Sequence, residues 1–158
     1  MKQESYKLFK NSSVDEIVDV LEKELVLRNE SPFWTTKLIP FSRAIVSVLV
    51  PLRDSQILFN PEGKKVEELT PELFLEWSDF VSLKALAFTI QKSNAQNKLC
   101  RTQLDSSACE SYKEIDLSVL GDYLALNGVN LENESLDFPI ATYNLHQGVS
   151  NVIKSLLS

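Results

Sequence analysis

Apolar residues recur at helical spacing along most of the chain, and several of these stretches open with a helix-capping signal. Ser13 and Glu16 form a capping box, which satisfies two free backbone N–H groups at a helix start. Ser31-Pro32 and Thr70-Pro71 each place a good N-cap residue before a proline that suits the first helical position. The pattern predicts helices that start near these residues, and a further helix that Ser78-Asp79 caps.

The second of these helices is apolar on nearly every face between Leu38 and Leu52. A helix of this kind is usually central and buried on most sides. The stretch is shorter than a membrane span and holds Arg43 and two prolines, so we interpret it as a core helix. We expect Pro40 to kink it, Pro51 to bend or end it, and Arg43 to reach the rim or find a partner.

The second half of the chain is patterned less strongly. Residues 94–111 are mostly polar, and we interpret them as an exposed loop or mobile insert. Apolar helical spacing resumes from Asp116 and stops at Asn127-Gly128, where glycine can take the left-handed conformation that ends many helices. An acidic linker over residues 130–137 leads to a last helix, whose inner face we predict to hold Tyr143 or Ile140 and then the following residues: Leu145, Val149, Val152, Ile153 and Leu156.

Together these elements predict an all-α domain over residues 13–158, an irregular bundle of about six helices, after an N-terminal tail over residues 1–12. A chain of 158 residues fits one domain with a real core. The last residues stop in the middle of an amphipathic pattern without a cap, which suggests a fragment of a longer chain.

Composition and charge narrow the function classes. The chain holds 16 basic and 22 acidic residues, a formal net charge of −6, which argues against direct DNA or RNA binding because that needs clustered Lys and Arg. Only four glycines are present, and no phosphate-loop or dinucleotide-binding pattern is found. We therefore expect no cofactor in this domain.

We find no catalytic or metal-binding constellation in the sequence. His146 is the single histidine, and it lacks an obvious nucleophile and orienting partner, so we favour a packing or helix-surface role. Cys100 and Cys109 are interpreted as reduced thiols, with a regulatory or native disulfide as the minor alternative. With one distant histidine they match no zinc spacing. The isolated domain is expected not to be an enzyme.

Candidate partner-binding residues are exposed charges on irregular segments, since loops often carry function. They are Lys64, Lys65, Lys98, Arg101, Asp105 and Glu110. A solvated turn remains the plainer interpretation of the Lys64-Lys65 pair. Trp34 and Trp77 could anchor an interface, but they lie on apolar faces and are more typical of a core.

Specific sequence blocks carry a family resemblance. Residues 31–37 (SPFWTTK), then Ala44 and residues 49–54 (LVPLRD), resemble the FWT-x-K … A … L-x-x-LRD helix of type IV secretion coupling proteins, the TraG/TraD-like ATPases of conjugation and Dot/Icm-type secretion. Residues 69–77 (LTPELFLEW) fit the next block. Residues 117–128 resemble the YL-x-x-x-PG element, with Asn127 in place of proline. Residues 146–148 (HQG) resemble the QHGY segment in a different order.

The resemblance implies the all-alpha domain of this family, an insertion in a RecA-like ATPase core. It implies a recognition role for secreted effectors, relaxases and their adaptor or chaperone proteins, at the cytoplasmic face of the bacterial inner membrane. ATP and Mg²⁺ would belong to the parent ATPase, which forms a hexamer, while the domain alone is expected to be a monomer. The alternative is a free-standing helical adaptor or secretion chaperone; a small all-α enzyme is the least supported class.

Overall fold

A computed structural model describes residues 2–99, 112–129 and 140–157, and within these ranges the regular elements are α-helices joined by irregular segments. The described helices are α1 (Lys2–Asn11), α2 (Val14–Leu27), α3 (Pro32–Asp54), α4 (Pro71–Trp77), α5 (Phe80–Gln96), α6 (Ser118–Leu126) and α7 (Ile140–Leu157). An isolated antiparallel bridge joins Phe59 and Lys65. The all-α prediction is confirmed, with seven described helices where the sequence predicts about six.

The extra helix is α1, which lies in the segment assigned above to an N-terminal tail. The structure corrects that assignment: Phe9 is fully buried, and its ring packs 5.1 Å from that of Phe74 on α4. Arg53 on α3 donates a hydrogen bond to the Phe9 carbonyl at 2.8 Å, and Lys10 pairs with Glu68 at 3.3 Å. The sequence pattern misses α1 because the helix is mostly polar, and its apolar contacts with the core come from the adjacent pair Leu8 and Phe9, which shows no helical spacing.

Helix α3 is the centre of the bundle and packs against α2, α4, α6 and α7. Ten of its residues are buried, which confirms the predicted core helix. By length and composition alone α3 could also cross a membrane. Core helices of globular proteins meet the same criteria of length and composition. Arg43 reaches the rim as expected, where it pairs with Asp15 of α2 at 2.7 Å.

The predicted helix starts are confirmed at atomic detail. Both hydrogen bonds of the Ser13–Glu16 capping box form, each at 3.2 Å. The Ser31 hydroxyl accepts from the Phe33 N–H, and the Thr70 hydroxyl accepts from the Leu73 N–H. Asp79 likewise caps α5 by accepting from the Ser82 N–H. These caps satisfy N–H groups that have no partner inside the helix, so the sequence alone places four helix starts. Pro40 and Pro51 both lie inside α3, which ends only at Asp54.

The connection between α3 and α4 is tied to the core by Trp77. Its indole Nε1 donates to the Phe59 carbonyl at 3.2 Å, and the two rings meet edge to face at 5.7 Å. Trp77 is buried, as the sequence predicts for a core residue. The loop before it, over residues 60–66, is left on the surface.

The inner face of the last helix differs in part from the prediction. The buried residues of α7 are His146, Val149, Ile153, Leu156 and Leu157. Ile140, named above as a possible core residue, is 78% exposed, whereas His146 is 1% exposed. The core face of α7 is therefore rotated toward His146, the only histidine of this helix.

Candidate functional site

His146 lies in a sealed aromatic pocket between four helices. Its ring centroid is 4.1 Å from that of Phe80 on α5 and 4.9 Å from that of Phe41 on α3, both in edge-to-face geometry. Tyr123 of α6 closes the pocket. We call His146, Tyr123, Phe41, Phe80 and Thr142 the His146 cluster.

The hydrogen bonds of the cluster define the histidine tautomer. Nδ1 lies 2.7 Å from the Thr142 carbonyl, one turn earlier on α7. Because a carbonyl only accepts, Nδ1 carries the proton in the neutral ring, and Nε2 accepts from the Tyr123 hydroxyl at 2.6 Å. Both ring nitrogens are therefore satisfied inside the core.

The electrostatics of the cluster favour neutral side chains. Burial lowers the pKa of His146 below its ordinary value; the Thr142 carbonyl opposes this shift, and the charge of Lys37 adds to it. Burial also raises the pKa of the Tyr123 hydroxyl. A histidine whose two nitrogens are occupied and whose ring is sealed by aromatic residues offers no free base to a substrate, so the geometry gives it a structural role.

The residues next to His146 fasten α7 to the rest of the fold. Gln147 donates to the Asp79 carboxylate at 3.2 Å, the same side chain that caps α5. The Ser150 hydroxyl donates to the Ser78 carbonyl at 2.8 Å. Together these bonds hold α7 against the junction of α4 and α5.

Gly148 permits a close approach between α7 and α3. A Cβ atom built at this residue would lie 2.6 Å from the Cη2 atom of Trp34, closer than real contacts allow. Trp34 is half-buried, and its ring meets that of Phe33 edge to face with 5.1 Å between the ring centroids. A side chain at residue 148 would therefore displace the ring of Trp34, which packs against the core as the sequence predicts.

The six predicted partner-binding residues do not form one described site. Lys64 and Lys65 are exposed on the loop before α4, and Lys64 pairs with Glu62 at 3.5 Å. Lys98 is half-buried just after α5, whose last residue precedes a left-handed Asn97. The other three, Arg101, Asp105 and Glu110, lie outside the described residues, as do Cys100 and Cys109. The proposed role of these residues in binding stays a prediction.

The sequence pattern does not indicate a second candidate site, which lies on the surface at the end of α2. Val26 and Leu27 near the end of α2 are 68% and 76% exposed, although they are large and apolar. They lie beside the short turn that leads to α3, where a groove of about 420 Å³ is lined by both helices. The available signal was the change from charged to apolar residues on the outer face of α2.

Within the described ranges no group of three or more His, Cys, Asp or Glu residues could hold a metal ion. Comparisons with protein-family models, with curated proteins and with solved structures find no significant match. The site is therefore interpreted from its own geometry.

Proposed function

We propose that this chain is the substrate- and adaptor-recognition domain of a type IV secretion coupling protein. In this proposal it docks protein cargo at the cytoplasmic mouth of the ATPase hexamer, at the cytoplasmic face of the bacterial inner membrane. The domain is an insertion in the RecA-like core of its parent chain, binds proteins and performs no chemistry itself. ATP and Mg²⁺ belong to the parent core.

One observation carries the proposal: four sequence blocks that resemble the family follow one another in the family's order along the chain, and they lie in one helical bundle. Trp34 of the first block packs on Gly148 of the last, and Tyr123 of the third bonds to His146 of the last. Gln147 bonds to Asp79, two residues after the second block ends. Helices of any single domain pack around a shared core, so these contacts fit the proposal, while the order of the blocks along the chain carries it.

The surface supports protein cargo over nucleic acid. A net charge of −6 repels phosphate backbones. The exposed apolar residues Val26, Leu27 and Phe33 suit a protein partner, because burying apolar side chains is the main driving force of protein association.

The test is capture of purified adaptor and effector proteins of a type IV secretion system by the immobilised chain. We expect specific capture at physiological salt and no retention of duplex DNA. Tight DNA binding without any protein capture would overturn the proposal. Protein capture, combined with a gene that encodes no phosphate loop in the same reading frame, would favour the free-standing adaptor instead.

A further inference from the structure

The outer face of α2 departs from the pattern of a surface helix. Ile17, Val18, Leu21 and Leu25 are buried on the inner face. The opposite side holds Asp19, Glu22, Lys23, Val26 and Leu27, which we call the α2 outer face. A solvated helix face is normally polar throughout. Here its last turn carries two adjacent apolar side chains, each more than two-thirds exposed.

The apolar end of this face continues into the groove between α2 and α3. Val26 lines the groove together with Glu30, Pro32 and Thr36. The hydrogen bonds Arg28 N to Glu24 O and Glu30 N to Leu25 O fix the turn between the two helices. The exposed apolar residues at the end of α2 and the groove therefore form one continuous surface whose backbone is fixed by these hydrogen bonds.

Carboxylates outnumber cations along this surface. In the described part of the chain, Asp15 pairs with Arg43 and Glu24 with Arg28. No such ion pair involves Asp19, Glu22 or Glu30 within the described residues. Lys23 is the one cation of the α2 outer face. The surface formed by this face and the groove therefore carries a net negative charge, which attracts a cationic partner.

We propose that the α2 outer face and the adjoining groove bind a cationic amphipathic helix of a partner protein. The partner lays apolar residues at helical spacing over Val26 and Leu27, and its Lys or Arg side chains meet Asp19, Glu22 and Glu30. This deepens the proposed recognition function by naming the docking surface and the chemistry of its cargo.

Charge decides between this partner and a second copy of the chain. A two-fold dimer through this surface would place the same patch on both subunits. Each copy would then bring Asp19, Glu22 and the single Lys23 to a surface of the same net negative sign, and like charges across an interface disfavour association. A cationic helix gains from the same charges that a second copy would have to overcome.

The probe is a synthetic 18-residue peptide of leucine and lysine with leucines at helical spacing. A peptide of the same composition in scrambled order is its control. Binding to the full chain is measured by fluorescence anisotropy. The test variant is V26S/L27S, and the matched control is V119S/L126S, which removes two exposed apolar side chains from α6.

We expect the amphipathic peptide to bind better than the scrambled one and V26S/L27S to weaken it about tenfold or more. The α6 control should change the affinity by less than about twofold. The charge reversal D19K/E22K should also weaken the lysine peptide and should improve binding of a leucine–glutamate version. Binding should weaken as salt rises.

Equal affinity for both peptides, or equal loss in the α2 and α6 variants, would overturn the site. A concentration-dependent dimer of the free chain that V26S/L27S abolishes would overturn it in favour of a second copy. The two proposals fail separately. If V26S/L27S still captures secretion proteins, recognition stands and this surface is wrong. If the peptide binds here while no secretion protein is captured, the surface stands and the proposed function is wrong.

Discussion

The His146 cluster and the α2 outer face show two opposite ways of placing polar and apolar groups. In the cluster, both nitrogens of a buried histidine find partners. On the α2 outer face, Val26 and Leu27 are exposed to water. Asp19 and Glu22 of this face and Glu30 of the adjoining groove form no ion pair within the described ranges. The first region is complete by itself, whereas the second gains stability only if something covers it. The residues of the His146 cluster therefore serve packing. We expect partner binding on the α2 outer face, where apolar residues interrupt the polar pattern of a surface helix.

The largest expected difference between the two regions is in stability. Phe80→Ala should lower the free energy of unfolding by about 3–5 kcal/mol, because it removes a fully buried ring and leaves a cavity beside His146. Leu27→Ala is the control and should change it by less than about 0.5 kcal/mol. Urea unfolding followed by circular dichroism measures both. A comparable loss in the control would mean that the α2 outer face is already covered.

A second prediction concerns the close approach of α7 and α3. Gly148→Val should destabilise the chain by about 1–3 kcal/mol, since the new side chain collides with the Trp34 ring. Trp34→Leu should recover part of this loss in the double variant, because the smaller residue frees the space. A double-mutant cycle of unfolding free energies measures the coupling. Strictly additive losses would contradict a direct contact.

The hydrogen bond inside the cluster gives a third prediction. Tyr123→Phe should cost about 1–3 kcal/mol, because Nε2 of the buried His146 loses its donor. Tyr6→Phe is the matched control: its hydroxyl bonds Glu72 at an exposed site, and we expect the smaller loss there. Thermal and chemical unfolding of both variants make the comparison. Equal losses would show that burial of the bond is not decisive.

The smallest expected effect is a dependence on pH. Burial holds the pKa of His146 below its ordinary value near 6.5, so the unfolded chain takes up a proton at a higher pH than the folded chain does. The contribution of the neutral histidine to stability is therefore complete above that value and is lost as pH falls below it. The slope is at most about 1.4 kcal/mol per pH unit. His146→Gln should flatten the unfolding curve between pH 7 and 5, and an unchanged slope would contradict this assignment.

The sequence predicts much of the fold because local chemistry sets it. The Ser13–Glu16 box and the Ser31 and Thr70 caps act within one turn, and Gly128 takes the positive φ that its place after α6 favours. These features depend on neighbours in the sequence and need no knowledge of the tertiary structure.

The rest depends on contacts that no local pattern contains. His146 is buried because Tyr123, Phe41 and Phe80 surround it from three other helices. Helix α1 is held by Leu8 and Phe9 in the core and by the hydrogen bond from Arg53 to the Phe9 carbonyl, although its other residues are mostly polar. Charge on loops indicates the candidate binding residues, and the pattern gives no sign of the apolar surface of α2 because the inner face alone explains that helix.

The most direct test of the central claim is capture of purified type IV secretion adaptors and effectors by three immobilised forms of the chain. These are the unaltered chain, V26S/L27S and Y123F, under conditions where all three are folded. We expect the unaltered chain and Y123F to capture the same protein and V26S/L27S to lose it. Capture by V26S/L27S would contradict the account, and loss in folded Y123F would show instead that recognition depends on the His146 cluster.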